Sequence, residues 1–231
     1  MLPSRSNCAE TGESIHRLST DSVDIRRLAR RAAGCAAALL FSLAHAAGGP
    51  IGIDHKVGTE DTGIWARKKQ LFLQDATLVT IVAGALWEGG EDRLGKTYWR
   101  AIDSSALGAL ASTALKETFT RSRPSQTDSP NEWFQGKGHY SFPSGEVTFI
   151  SAAVTPFVLE YADEHPAAYA LELLPAYDAV ARVKIGAHWQ SDVLAGFAIG
   201  TGTGYLAYKR DSPFILEALP HGFMIGLKAR F

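Results

Sequence analysis

The chain has 231 residues, a formal net charge of −1, 46% hydrophobic residues and 20% charged ones. That length supports one domain with a substantial core and leaves too little for two. The composition excludes a disordered chain, and the balanced charge supplies no field for nucleic acid, so no nucleic-acid partner is expected.

Residues 1–46 read as a targeting segment. Arg26, Arg27, Arg30 and Arg31 form a positive patch, the run Ala32 to Leu43 is apolar, and Ala44-His45-Ala46 has the small-x-small pattern of a cleavage site. The only cysteines, Cys8 and Cys35, fall inside it, so the mature chain has neither a disulfide framework nor a cysteine metal site. Export to the periplasm or envelope follows as the expectation.

Residues 47–68 are glycine-rich and polar and read as a loose lead-in to one domain over 69–231. Apolar residues then recur with helical spacing over 69–88, 94–121, 145–163, 166–183 and 188–209, which predicts an all-α helical bundle. Thr77 to Trp87, Ser105 to Leu115 and Val193 to Leu206 are the most apolar stretches. They are shorter than a bilayer span, so buried helices of a soluble bundle are expected, with an inner-membrane protein as the alternative. The polar run Ser122 to Gly138, with Pro124 and Pro130, predicts a long loop over the functional end, where Trp133 and Phe134 are placed to cap a pocket. His139, His165 and His221 each stand alone. At the C-terminus Phe223, Ile225, Leu227, Ala229 and Phe231 alternate with smaller or more polar positions, which predicts a short extended tail packed on the bundle.

Three segments carry chemistry-bearing residues. Lys116 closes a helix, and Arg123 follows it before Pro124, which forbids helix continuation. Arg182 closes another helix. Three cations, two of them planar forks, match the equatorial oxygens of a phosphoryl group. Pro143-Ser144-Gly145 opens a helix, so free backbone N–H groups and the Ser144 hydroxyl supply an anion site. His188 and Asp192, four residues apart at a helix start, share a face. There the carboxylate would fix the imidazole tautomer and leave the other ring nitrogen nucleophilic. In-line attack by His188 on a phosphoryl group held by the cations yields a phosphohistidine.

The order Lys116-x6-Arg123-Pro124, then Pro143-Ser144-Gly145, then Arg182-x5-His188-x3-Asp192 resembles the type 2 phosphatidic acid phosphatase (PAP2) superfamily. That group includes the bacterial acid phosphatases and vanadium haloperoxidases. The resemblance spans about residues 70–210. It implies a helical bundle, no metal or cofactor, phosphate binding by Lys116, Arg123, Ser144, Gly145 and Arg182, and catalysis by His188 with Asp192. Vanadate would occupy the same cradle as a phosphate mimic. Two positions depart from the pattern. Ala181 replaces a serine, and Glu146 stands where the family has the histidine that acts as general acid. A protonated Glu146 could donate a proton, the nearby cations favour its ionised form, and an ionised Glu146 could serve as base; His139 is the other source of an acid. The expected function is hydrolysis of a phosphate ester. The substrate is a small phosphorylated molecule or a lipid phosphate, met in solution or at a membrane surface. A non-catalytic anion-binding protein and a vanadium-dependent halide oxidase are the alternatives.

Overall fold

The computed structural model describes residues 48–210 and, in backbone only, two short strands at 216–219 and 222–225. The predicted targeting segment and its cysteines lie outside the described residues. The fold is all-α, as the periodicity predicts. Its helices are α1 (Arg67–Glu88), α2 (Arg93–Phe119), α3 (Gly145–Tyr161), α4 (Leu173–Lys184) and α5 (Gln190–Tyr208). Of the expected extended tail, Phe223 and Ile225 lie in a hairpin, in which β1 (Leu216–Leu219) pairs antiparallel with β2 (Gly222–Ile225), whereas Leu227, Ala229 and Phe231 lie outside the described residues.

Helix α3 is the central element. Nearly every residue from Val147 to Leu159 is buried, and α2, α4 and α5 pack around it. Pro156 lies inside it and cannot donate to the carbonyl of Ala152 one turn earlier. The Ser104 hydroxyl of α2 donates to that carbonyl instead, at 2.7 Å, so the interruption ties two helices together. Against the other side, α5 approaches closely enough that a side chain at Gly196 would meet the Ser144 carbonyl at 2.6 Å, and one at Gly200 the Thr148 carbonyl at 2.4 Å. Glycine at these positions brings the start of α3 against the start of α5.

The single helix expected over 166–183 divides into a 3-10 turn at Pro166–Glu172 and α4. Pro175 is the cause. It is tolerated in the first turn of α4, where its missing N–H has no intrahelical partner, but not in the middle of a longer helix.

Helix α1 is not the buried core helix expected of it. Its 22 residues extend about 33 Å at 1.5 Å per residue, enough to cross a hydrocarbon core of about 30 Å. Of these residues Gln70, Ile81 and Ala85 are buried, whereas Phe72 is 72% exposed, Trp87 88%, and Leu78, Val79 and Leu86 are exposed with them. By length and composition α1 is the one candidate membrane span among the described residues. The stretch from Thr77 falls short of a span because the helix also carries the apolar turn of Leu71, Phe72 and Leu73 before it.

Candidate active site

The three segments meet at one end of the bundle. Helix α2 ends where Thr120 enters the left-handed region at φ 35°, with its N–H on the Lys116 carbonyl. This turn directs the following residues across the bundle end. The loop after it is pinned by bonds from Ser122 N to Glu132 O, from Phe134 N to Phe119 O and from Gln135 N to Thr120 O. Lys116 Nζ donates to the carbonyls of Tyr140 (3.0 Å) and Pro143. Arg123 donates to the same Tyr140 carbonyl at 3.2 Å and to Ala187, the neighbour of His188, at 3.0 Å. Gly145 faces the Lys116 side chain; a Cβ there would sit 3.5 Å from Lys116 Cε. The Ser144 hydroxyl is fully buried without a hydrogen-bond partner, as is Arg182 Nε. Buried polar groups seldom go unpaired, and these two belong to the elements expected to hold an anion.

The electrostatics agree. Burial, joined by Arg123 and Arg182, pushes the Lys116 ammonium down to about 8, and burial also lowers Arg123 and Arg182. Neither Lys116 nor Arg123 is ion-paired with a carboxylate among the described residues. Cations crowded together in a desolvated place favour a bound anion, which restores the lost solvation and screens their repulsion.

His188 is almost fully buried, and its Nδ1 lies 2.7 Å from the Ser141 carbonyl oxygen. A carbonyl only accepts, so Nδ1 carries the proton and Nε2 keeps its lone pair. The sequence assigned this task to Asp192, whose Oδ2 is 3.8 Å from Nδ1, beyond hydrogen-bond reach. Asp192 acts at one remove. Its Oδ2 accepts from the Ser141 hydroxyl and from the Trp189 N–H at 2.9 Å, so it anchors the residue whose carbonyl holds the ring. Burial, with Arg182 and Lys116, brings the His188 pKa down to about 3, so the ring is a neutral imidazole at neutral pH.

Glu146, at the first turn of α3, is clamped. Arg67 donates to both its oxygens, Nη1 at 2.6 Å and Nη2 at 2.8 Å, and Arg182 Nη1 stands 3.5 Å away. Burial opposes its charge, but Arg67 and Arg182 outweigh burial and hold its carboxyl below the ordinary 4.5. Of the forms open to it from sequence, the ionised carboxylate is the one this geometry favours. His139 is engaged elsewhere, with Nδ1 3.0 Å from the Ser122 hydroxyl. The Trp133 ring packs under the Arg121 guanidinium at 4.3 Å and against Phe119 and Phe142, whereas Phe134 is exposed.

Four residues that sequence reasoning missed support the site: Ser141, Arg67, Arg121 and Asp54. Arg121 is fully buried between two carboxylates, with Nη1 2.6 Å from Asp192 Oδ1 and Nη2 2.6 Å from Asp54 Oδ2. Asp54 also accepts from the Ser191 N–H and hydroxyl, each at 2.7 Å. The stretch expected as a loose lead-in therefore reaches into the site, closed by paired bonds between Gly48 and Asp54. Gly49, at φ +81°, has no room for a side chain, since a Cβ would overlap the Asp54 carboxylate. Arg67 had a legible signal. Arg67-Lys68-Lys69 opens a helix, where cations oppose the helix dipole, so another interaction has to hold them there. No cluster suited to a metal ion occurs among the described residues.

A family model of the PAP2 superfamily matches residues 97–214, about half of the chain. The lipid A 1-phosphatase of Porphyromonas gingivalis is 30% identical over 137 residues, which cover 57% of this chain and 28% of that protein. The chain thus spans little more than a quarter of that relative's length. Among solved structures, Aquifex aeolicus LpxE aligns with a TM-score of 0.45 at 19% identity, over 62% of this chain and 87% of that one. The transmembrane PAP2 type phosphatidylglycerolphosphate phosphatase of Bacillus subtilis aligns with a TM-score of 0.47 at 17% identity, over 80% and 86%.

Proposed function

The chain belongs to the PAP2 superfamily, and from that premise we propose that it is a phosphatase acting on a lipid phosphate at a membrane, through a phosphohistidine on His188. The observation that carries this reading is the neutral His188 ring. Its Nδ1 proton is held by the Ser141 carbonyl, and it lies beside buried cations and an unpaired Ser144 hydroxyl. A mere anion binder has no need of a nucleophile kept in its reactive tautomer.

In this mechanism Lys116, Arg123 and Arg182, with Ser144 and the N–H groups at the start of α3, hold the phosphoryl oxygens. His188 Nε2 attacks phosphorus in line, the P–O bond to the lipid breaks with its electron pair on the lipid oxygen, and the ring becomes cationic because Nδ1 keeps its proton. The cations stabilise charge on the equatorial oxygens, and the Asp192 carboxylate 3.8 Å from Nδ1 stabilises the imidazolium. Water then attacks the phosphohistidine, Glu146 takes its proton, and the P–N electron pair returns to Nε2. The lipid assignment is supported by the exposed apolar face of α1, which suits seating in a bilayer, and by the activity named for the P. gingivalis relative.

The test is phosphate release from a lipid phosphate in mixed micelles by the native chain, His188→Ala and Arg123→Ala. His188→Ala is expected to lose turnover and still bind vanadate, whereas Arg123→Ala loses both. Normal turnover by His188→Ala would refute the reading.

A further inference from the structure

The phosphatase reading leaves open how the first step expels its leaving group. An alkoxide is a strong base, and a positioned proton donor accelerates its departure by about 10²–10⁴-fold. The titratable groups around the cradle do not offer one. Glu146 has both oxygens engaged by the Arg67 fork, with Arg182 beside them, so it rests as the carboxylate and carries no proton to give. Asp178, one turn before Arg182 on α4, is 0% exposed and has no surface from which to hand over a proton. Lys116 already donates to two backbone carbonyls. His139 is held by Ser122 in the loop.

We propose that the substrate class is a phosphoanhydride, a diphosphate cleaved to its monophosphate, in preference to the phosphate ester of an alcohol. The inference rests on the phosphatase reading above and specifies its substrate. The leaving group is then itself a phosphate, a far weaker base than an alkoxide, and departs without a proton. His188 Nε2 forms a bond to the terminal phosphorus. The bond from that phosphorus to the bridging oxygen breaks, and its electron pair stays on the oxygen of the departing phosphate. Arg67, ion-paired with Glu146 and with its side chain 34% exposed, is the cation this proposal sets beside that phosphate. In the second step water forms the new P–O bond, and its proton goes to Glu146, whose carboxylate form is the one required there. The same ion pair thus removes the acid of the first step and keeps the base of the second.

The experiment compares decyl phosphate with decyl diphosphate in identical detergent micelles, using the native chain and Glu146→His. For the native chain kcat/KM is expected to favour the diphosphate by about 100-fold or more, the contribution of a missing general acid. Glu146→His is expected to raise the monophosphate rate and narrow that gap. Equal kcat/KM for the two substrates in the native chain would overturn the proposal. So would a native chain inert on both whose Glu146→His variant cleaves both, since Glu146 would then simply disable the site. The failure of the phosphatase reading itself looks different: neither protein releases phosphate, or His188→Ala releases it as fast as the native chain. A series of aryl phosphates on the native chain needs no variant to fold. A steep rise in rate with leaving-group acidity supports the proposal, and a flat series refutes it.

Discussion

Replacing Asp54 by asparagine tests whether the stretch before α1 is part of the catalytic apparatus. In the native chain the Asp54 carboxylate takes one Arg121 nitrogen and both donors of Ser191, all fully or nearly fully buried. Asparagine keeps the shape and can still accept from the Ser191 N–H. It presents an NH2 group where the carboxylate accepted, and leaves Arg121 with Asp192 as its one carboxylate. Removing one partner of a buried ion pair costs about 3–5 kcal/mol, because the remaining charge stays desolvated. At about 2–4 °C per kcal/mol for a domain of this size, the melting temperature falls by about 6–20 °C. The kinetic effect follows from the same contacts. Arg121 fixes Asp192, Asp192 fixes Ser141, and the Ser141 carbonyl orients His188. A looser ring lowers kcat while KM, set by the cations, changes little. Thermal unfolding by circular dichroism and phosphate release below the melting temperature measure both. A variant that melts within about 2 °C of the native chain and keeps its kcat would refute the clasp. One that loses stability alone would reduce Asp54 to a structural role.

Two further outcomes concern pH. Burial brings the Lys116 ammonium down to about 8, so the cradle loses a positive charge as pH rises through that value; vanadate inhibition is expected to weaken there with proton uptake on binding, and Lys116→Met to remove the step. Asp178 is raised from 3.8 to about 7, chiefly by burial and then by Glu146, so its neutral form favours the fold. That contribution is complete below about pH 4 and lost as pH rises to about 7. Asp178→Asn is therefore expected to match the native chain at pH 4 and to exceed it above pH 7 by up to about 4 kcal/mol, read from denaturant unfolding at the two pH values. Equal stability at both would place water or a partner at Asp178.

Local rules made much of this protein legible. Helical periodicity placed α1, α2, α3 and α5 within a few residues, because a buried face repeats every 3.6 residues whatever it packs against. Proline and glycine marked the ends, so Lys116, Arg123, Ser144, Arg182 and His188 could be assigned to helix termini before any contact was known. The helices the sequence took as buried were harder. The burial of α1 depends on which neighbours cover it, and an apolar stripe looks the same from sequence facing a core or a lipid.

Spacing along the chain determined that three cations, a helix start and a histidine would be available at one end of a bundle, since each lies at the boundary of a periodic segment. Tertiary structure alone decided what those groups are. Arg121, two residues from Arg123 and of the same type, became the buried partner of Asp54 and Asp192, while Arg123 faced the cradle. Asp192 yielded the His188 proton to a backbone carbonyl 47 residues away in sequence. Glu146 became an ionised clamp because Arg67, 79 residues distant, reaches it. The protonation state and orientation of each group depend on the charges within a few ångströms of it, and those neighbours come from segments that meet only when the chain is folded.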